Sequence, residues 1–425
     1  MKSFFPQRNE KYKFFYHPIF ASFLIFCFVT LIIISADNFL PESLRQNTPS
    51  DYINHYLPLA KSLLNHGIYT LQGELDDLYP PGYPILIAIE IIVANFINID
   101  LNTSQLLFSI IYMTGSAGVL FSIGKRTYGE KWWVWLITFV FLTYPFYIWI
   151  ALGPNNETPF IFFFFSGIWF FIREKLKWLH CLLGGTLIGF SMLIRPIAIG
   201  LGLLIALYIL VFRTEKFKIR ILLAAVLLIG NLLTILPWEA FIYQQTGDII
   251  PLSNSGVRGM RDGLTFAIRK LHYRDVPNVP ENIITLMQSI DEAELLTISD
   301  YAGYLFSQFR QNPINVGMLF AIKATRSWYA TDSGHLDNII LLVQIPYLLI
   351  STFSFYCAFH LGKKKLHLVS FVGIIVIYFW VMTILVLSIV RYMLPVMGLL
   401  FLLWPSIGIY LSQRVINSKV EVHQS

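Results

Sequence analysis

The chain has 425 residues, of which 56% are hydrophobic and only 13% charged, and its mean hydropathy is +0.62. A soluble domain carries charge on roughly a quarter of its residues. This composition therefore excludes a soluble globular protein and indicates an integral membrane protein. The three cysteines, Cys27, Cys181 and Cys357, all fall inside apolar runs, so no disulfide framework is indicated.

Apolar runs recur along the chain, and a helix that spans a bilayer needs about 20 such residues. The first run follows a basic N-terminal segment and is too long for the core of a signal peptide, which predicts a signal anchor that is retained. Pro196 disfavours a helical Arg195 and so separates two later runs. The sequence predicts about ten transmembrane helices, at 14–35, 103–124, 132–152, 157–173, 178–194, 196–212, 219–238, 338–360, 367–388 and 391–411.

Basic residues alternate between the connections of these spans, which predicts the orientation of the chain. With ten spans, every basic cluster falls on one side, and the positive-inside rule makes that side cytoplasmic. Both termini are then cytoplasmic. The clusters are the N-terminal segment, Lys125/Arg126/Lys131, Arg173/Lys175/Lys177, Arg213/Lys216/Lys218/Arg220, Lys363/Lys364/Lys365 and Arg414/Lys419.

Two long segments, 36–102 and 239–337, lie on the opposite, extracytoplasmic side in this topology. No internal repeat or low-complexity tract divides the chain, so residues 1–425 are interpreted as a single membrane-embedded domain with two outer loops. Helical spacing over 281–310 predicts partly exposed helices in the second loop.

The first outer loop contains a predicted amphipathic helix at 51–67. Its apolar residues recur at the spacing of one helical face, and Gly67 suits the position after the last turn. The run is too short and too polar to span, so it is expected in the membrane interface. Asp51 stands at its start, with His55 on the same side one turn later. Asp51 has two interpretations: complementing the helix dipole, or acting as a general base.

A rigid Pro80-Pro81-Gly82 turn follows in the same loop, flanked by Tyr79 and Tyr83. Consecutive prolines hold the chain extended, and Gly82 permits a tight turn. One interpretation is a rigid entry into an interfacial helix. The other is that the two tyrosines form a wall on which a sugar stacks.

The motifs of this loop resemble the first lumenal loop of GT-C glycosyltransferases, and more narrowly that of the dolichyl-phosphate-mannose protein mannosyltransferase superfamily, whose bacterial members include aminoarabinose lipid A transferases. The resemblance extends over 14–411. The residues that carry it are Asp51-Tyr52, Tyr56, Ala60, Gly67, Tyr69, Pro80-Pro81-Gly82-Tyr83-Pro84, Asn156-Glu157-Thr158-Pro159-Phe160, Arg195-Pro196, Leu236-Pro237-Trp238, Thr246-Gly247-Asp248, Pro251-Leu252-Ser253, Gly256 and Arg391-Tyr392-Met393-Leu394-Pro395-Val396.

There are two departures from the family pattern. Relatives often have Arg-Asn shortly after Pro-Trp, whereas this chain has Glu239-Ala240-Phe241-Ile242-Tyr243. The large C-terminal extramembrane domain of some relatives does not follow the last span here. Acceptor recognition is therefore expected from the two outer loops.

The resemblance implies an all-α GT-C fold and a glycosyltransferase of the bacterial plasma (inner) membrane, with its site on the extracytoplasmic face. Its donor would be a polyprenyl-phosphate-linked sugar and its acceptor an envelope lipid, glycan or protein. Nucleic acid is not an expected partner. No cofactor is implied, although a divalent cation stays open, and no His/Cys cluster supports zinc.

The resemblance also implies roles for individual residues. Asp51 would be the base, and Glu157 would contact the donor sugar or support Asp51. The equally weighted alternative for Glu157 is that it complements the dipole of its helix or is exposed on a short loop. Arg391 would bind the donor phosphate, since an isolated outer-side arginine runs against the charge bias; the alternative is snorkelling to lipid headgroups. For Arg195 the two interpretations are equally weighted. Secondary substrate-binding candidates are His55, Lys61, Tyr83 and Tyr392.

The remaining charged residues of the two outer loops are assigned simpler roles. Asp76 and Asp77 are interpreted as exposed turn residues, with metal binding as the alternative. The basic side chains of the second loop are interpreted as a solvated face that meets anionic lipid or acceptor; they are Arg258, Arg261, Arg269, Lys270 and Arg274.

A transporter or flippase of lipid-linked glycans is the competing functional class. Such proteins place polar groups near the bilayer midplane. Here the charged residues gather at the outer ends of spans, which favours chemistry at the membrane surface. A catalytically inactive protein of the same fold is a third interpretation.

Overall fold

The computed structural model describes residues 15–41, 48–266, 279–331, 334 and 336–422, with backbone alone for 363–365 and 415–422. The described chain is almost entirely helical. Its helices are α1 (Pro18–Phe39), α2 (Leu57–His66), α3 (Gly82–Ile97), α4 (Leu101–Tyr128), α5 (Trp132–Thr143), α6 (Pro145–Ala151), α7 (Glu157–Phe171), α8 (Trp178–Ile194), α9 (Leu201–Phe212), α10 (Phe217–Thr246), α11 (Ser255–Leu264), α12 (Glu281–Glu292), α13 (Ile298–Gln311), α14 (Pro313–Arg326), α15 (Asp337–His360), α16 (Lys363–Leu385), α17 (Val390–Phe401) and α18 (Pro405–Val422).

Six of the helical stretches in the described residues are long and apolar enough to cross a bilayer: α1, α4, α10, α15, the part of α16 from Leu366, and Val390–Arg414. The pair α5 and α6 bends by 55° at Tyr144 and can form a seventh span. Four shorter apolar segments, Gly82–Ile97, Glu157–Phe171, Trp178–Ile194 and Pro196–Phe212, complete the bundle. The chain is therefore a multi-pass membrane protein. Helices cover all ten predicted segments, but the count of ten spans stays a prediction.

The centre of the bundle depends on close contact between α8 and α10. A Cβ atom at Gly185 would lie 2.1 Å from the Leu227 carbonyl oxygen, and one at Gly230 would lie 2.3 Å from that of Leu182. Lipid tails are as apolar as leucine, so helices associate in membranes through close packing of this kind. The contact fixes the end of α8, which carries Arg195.

The first outer loop contains α2 and a short antiparallel pair, β1 (Thr70–Leu71) and β2 (Glu74–Leu75), before α3 begins. The amphipathic helix predicted at 51–67 is observed, and Gly67 ends it with a left-handed φ of 68°. The helix carries a wide π-turn at Tyr52–Tyr56, ahead of α2 proper. Such turns recur at functional sites.

The second outer loop has a small core of its own, formed where α11, α12 and α14 meet. Ile283, Met287 and Leu319 are fully buried there. The helical spacing predicted over 281–310 is observed as α12 and α13, with a break at 293–297.

The first outer loop contacts both the second outer loop and α10. The Asn254 backbone amide donates to the Asp77 carbonyl at 3.0 Å, and its side-chain amide donates to the Asp77 carboxylate at 2.8 Å. The ring of Tyr69 packs edge-on against that of Trp238 at 5.1 Å. The loops therefore form a joined layer over one end of the bundle.

Candidate active site

The candidate site begins at Asp51, which is exposed in the first turn of the interfacial helix. The Asp51 carboxylate lies close enough to the hydroxyl of Tyr79 to raise its pKa, both as a charge and as a hydrogen-bond acceptor. Burial raises the pKa of Tyr79, and the nearby Asp51 charge raises it further, so this hydroxyl stays protonated and donates. Asp51 is thus oriented by a side chain from the Pro-Pro-Gly turn.

Tyr56 connects Asp51 to the bundle. Its ring packs edge-on against Tyr79 at 4.8 Å and against Tyr83 at 5.0 Å. The side-chain amide of Asn156 donates to the Tyr56 hydroxyl at 3.0 Å. Burial raises the pKa of Tyr56 well above its usual value, and the charges of Asp51 and Glu157 both add to the effect. The charges of both carboxylates therefore act on one buried hydroxyl.

Glu157 binds two arginines through a single oxygen. Arg391 donates from Nε to Glu157 Oε1 at 2.7 Å, with Nη2 of the same guanidinium at 2.5 Å. Arg195 Nη1 lies 3.0 Å from that oxygen. The carboxylate side chain is 1% exposed and that of Arg195 6%, whereas that of Arg391 is 24% exposed. The charges of these three side chains sum to +1, and Arg391 is the most exposed of the three.

Each member of this cluster stands at a helix end, and local sequence explains why. Asn155 Oδ1 accepts from the backbone amides of Glu157 and Thr158 at 3.0 and 3.2 Å and so caps α7. Arg195 ends α8 with extended backbone, as the residue before a proline must. Arg391 is the second residue of α17, after extended Ile389.

Gly82 contacts the end of α8 directly. A Cβ atom here would lie 2.5 Å from the Leu193 carbonyl carbon and 2.7 Å from the Ile194 nitrogen. The sequence predicted that Gly82 permits a tight turn, and this is wrong because Gly82 is the first residue of α3. The glycine is needed instead because the backbone of α8 approaches it closely. Tyr83 is 3% exposed beneath Tyr56, which favours support of Tyr56 over a sugar-stacking wall.

The other sequence-predicted site residues lie in different positions relative to this cluster. Tyr392 places its ring 4.9 Å from the Arg195 guanidinium. The ring of His55 packs against that of Tyr79, with ring centres 4.5 Å apart. Lys61 is exposed, and no hydrogen bond or ion pair between described residues joins it to the cluster.

Asp76 corrects an expectation. It is 5% exposed, and its Oδ2 lies 2.8 Å from His55 Nδ1 while its Oδ1 accepts from the Leu78 amide at 3.0 Å. The interpretation as an exposed turn residue is therefore wrong, because a buried carboxylate needs such partners. Asp77 is half-buried and binds Asn254.

The basic residues of the second loop divide into three groups. Arg261 pairs with Asp262 at 3.0 Å. Arg258 is exposed, but its charge acts on the Tyr79 hydroxyl, so it lies near Asp51. The predicted solvated face also included Arg269, Lys270 and Arg274, which lie outside the described residues.

Lys323 is a structural feature that the sequence analysis missed. It is fully buried, and Nζ donates to the Gly263 carbonyl at 2.6 Å and to the Val386 carbonyl at 2.9 Å. Burial lowers its pKa to about 7. The nearby Val390 amide donates to the Ala330 carbonyl at 2.9 Å. Two contacts from the second loop thus hold the turn that precedes Arg391. No local sequence pattern around Lys323 predicts these contacts.

Glu239, which follows the Pro237-Trp238 motif, has a local structural role. Glu239 Oε1 accepts from the Leu252 amide at 2.7 Å, and Trp238 Nε1 donates to the Leu252 carbonyl at 2.8 Å. Both bonds hold the start of the second outer loop against α10.

The fold is similar to that of an archaeal oligosaccharyltransferase. The apo oligosaccharyltransferase of Archaeoglobus fulgidus superimposes with a TM-score of 0.56 at 12% identity, over 93% of this chain and 52% of the other. The oligosaccharyltransferase AglB from Archaeoglobus fulgidus, in complex with an inhibitory peptide and a dolichol-phosphate, gives 0.55 at 12% identity, over 94% of this chain and 52% of the other. ArnT from Cupriavidus metallidurans bound to undecaprenyl phosphate gives 0.46 at 10% identity, over 90% and 77%.

The two similarities to the oligosaccharyltransferase, both with a TM-score above 0.5, confirm the predicted all-α GT-C fold. The chain spans about half the length of the archaeal oligosaccharyltransferase that it matches. The sequence matches no protein-family model and no curated protein.

Proposed function

We propose that the protein is a membrane glycosyltransferase that moves a sugar from a polyprenyl-phosphate-linked donor to an envelope lipid, glycan or protein. The observation that carries the proposal is that an exposed carboxylate, Asp51, and the Glu157–Arg195–Arg391 cluster both act electrostatically on the hydroxyl of Tyr56. The reaction forms a bond between the sugar anomeric carbon and the acceptor oxygen or nitrogen. The bond from that carbon to the phosphate oxygen breaks, and polyprenyl phosphate leaves.

Asp51 is the proposed general base. Its exposure gives an acceptor access, and its hydrogen bond with Tyr79 orients it. A carboxylate held in this way can take the proton of an acceptor that attacks the sugar. His55 sits beside Asp51 and is bound to Asp76, so we assign it to positioning the same turn.

Arg391 is the proposed phosphate ligand. It is the more exposed of the two arginines, and a guanidinium binds phosphate oxygens through two parallel hydrogen bonds. Negative charge grows on the phosphate as the sugar departs, and a fixed cation stabilises that charge. Arg195, whose guanidinium packs on the Tyr392 ring, adds a second positive charge on the buried side of the cluster. Since these arginines supply positive charge, we expect turnover to be insensitive to EDTA.

Glu157 is proposed to position the arginines. It is 1% exposed, and one of its oxygens already accepts from Arg391. Two guanidiniums held side by side repel each other unless an acid stands between them. These contacts support the positioning role more strongly than a direct contact with the donor sugar.

The proposed location is the bacterial inner membrane, with both termini cytoplasmic and the site on the outer face. The charge pattern supports this orientation, because Arg126 and Arg173 meet at Trp169, near the end of α7 opposite to Glu157. Lys61, on the exposed interfacial helix, is proposed to meet lipid headgroups or donor phosphate.

The test is transfer from a panel of polyprenyl-phosphate sugars by purified protein in detergent, with Asp51→Asn as the principal variant. We expect its yield and thermal stability to match wild type while transfer falls at least about a thousandfold, the order of loss when general-base catalysis is removed. Glu74→Gln, an exposed acid of the same loop, is the matched control and should keep full activity. Full transfer by Asp51→Asn would remove Asp51 as the base. Lipid-sugar movement across vesicles without any transfer would favour the flippase interpretation.

A further inference from the structure

A groove opens at the end of the bundle opposite to the candidate active site. It has a volume of about 530 Å³ and lies between α1, α4 and α7. Small residues shape its wall, among them Ala21, Ser22, Gly118 and Ser166, and Trp169 lies near its mouth. Its size is within the range of small-molecule sites, about 300–1,000 Å³.

The depth of the groove corresponds to one leaflet of a bilayer. On α4 its lining runs from Thr114 to Lys125. At 1.5 Å per residue these 11 steps span about 16 Å, and the hydrocarbon core of a bilayer is about 30 Å thick. The groove therefore runs from near the bilayer midplane to the boundary where basic residues gather, as an acyl chain does.

Two arginines at that boundary lie against one aromatic ring. The guanidinium carbons of Arg126 and Arg173 are 4.1 and 4.3 Å from the centre of the Trp169 ring. The two charges act on each other, and together with Lys177 they act on the His180 ring.

No ion pair with an acid is found at Arg126 or Arg173 among the described residues. Of the nearby acids, Glu130 pairs with Lys125 at 3.1 Å, and Lys125 also donates to the Tyr16 carbonyl. Glu174, next to Arg173 in the chain, is exposed. Like charges gathered in this way without an ion-paired carboxylate favour an anion from outside the chain.

We propose that this groove binds one acyl chain of an anionic phospholipid whose phosphate is held by Arg126 and Arg173. The apolar depth of one leaflet fits the chain, and the unneutralised pair of guanidiniums fits the headgroup. Basic pockets between transmembrane helices are known sites for acidic lipid headgroups. The proposal is independent of the glycosyltransferase assignment, because the groove and the candidate active site lie at opposite ends of α7.

The experiment is native mass spectrometry of the detergent-purified full chain, with dioleoylphosphatidylglycerol and dioleoylphosphatidylcholine added at equal concentration. Wild type should retain phosphatidylglycerol in preference to phosphatidylcholine. Arg126→Gln/Arg173→Gln should lower that retention about tenfold to a hundredfold, since charge-assisted hydrogen bonds to phosphate are lost. Lys216→Gln/Lys218→Gln, which removes the same charge from exposed side chains, is the control and should bind as wild type does.

A second variant tests the acyl chain separately. A Cβ at Gly118 meets no atom within 4 Å, so Gly118→Leu fills the groove without a backbone clash and should abolish retention. Equal retention of the two lipids, a double variant that behaves like the control, or unchanged binding by Gly118→Leu would each overturn the proposal. Displacement of phosphatidylglycerol by millimolar glycerol 3-phosphate would show a site for a free phosphate and overturn the lipid assignment. If the arginine double variant does not fold, Gly118→Leu alone decides.

Discussion

The shared carboxylate oxygen of Glu157 permits a quantitative test of the cluster. Glu157→Gln removes the charge that Arg195 and Arg391 face while keeping the shape of the side chain. Loss of one partner in a buried ion pair costs about 3–5 kcal/mol, because the remaining charge stays buried without compensation. Since Arg391 is 24% exposed and can turn to water, most of this cost should arise from Arg195.

A double-mutant cycle with Arg195→Gln isolates that term. Each single variant should lower the free energy of unfolding by several kcal/mol, and the double variant should lose less than their sum by about 2–3 kcal/mol, near the upper end for directly contacting residues. The assay is reversible unfolding in mixed micelles with increasing sodium dodecyl sulfate, followed by circular dichroism.

The exposed pair of Lys125 and Glu130 is the matched control for this cycle. Its atoms are 3.1 Å apart, but its side chains are 32% and 38% exposed. Water screens such pairs, so their coupling should stay below about 1 kcal/mol. Costs of the Glu157 and Arg195 variants that add within about 0.5 kcal/mol would refute the ion pair as an energetic unit.

Three further predictions follow from separate contacts. Arg391→Ala should raise the KM for the donor about tenfold or more while the KM for the acceptor changes little; unchanged donor dependence in initial-rate assays would support snorkelling. Gly82→Ala should lower the melting temperature by several degrees, because its methyl group meets the Leu193 carbonyl, and Gly73→Ala, which meets no atom within 4 Å but has a left-handed φ of 91°, compares strain without a clash. For Lys323 the folded pKa is about 7, below its ordinary value, so between about pH 7 and 10 the unfolded chain binds more protons and stability should rise with pH by up to about 1.4 kcal/mol per unit. Thermal unfolding of Lys323→Met across this range should lack that rise; an identical pH slope would contradict the assignment.

Hydropathy located the helices of this protein because membrane insertion is decided by local composition. Each predicted span coincides with a helix or with a bent or broken pair. Some helices, such as α8, are shorter than the usual length of a span. The ends of α8 lie at Arg195 and at the basic connection before Trp178. Such short helices are packed among neighbouring helices, which bury part of their surface.

Side-chain pairing was harder to predict than helix position. Glu157 and Arg391 are 234 residues apart in sequence, and nothing local to either one specifies the contact. Family resemblance singled out both residues, but not that they bind each other. Asp76 was misjudged for the same reason: its partner His55 lies 21 residues away and comes from another element.

Gly67 and Gly82 differ in how far the sequence predicts their roles. Gly67 could be interpreted from its position after a helix, where a left-handed conformation is common. Gly82 has ordinary helical geometry, and its requirement comes from α8, more than 100 residues downstream. Only the assembled bundle shows why a methyl group is excluded there.

The double hydrogen bond between Asn254 and Asp77 has a mechanical consequence. Asp77 is two residues before Tyr79, and Tyr79 holds Asp51. A molecule that docks on the second outer loop and displaces it would therefore transmit that movement along a short length of chain to the carboxylate. Arrival of a substrate on that loop would thus be sensed at Asp51, the proposed base.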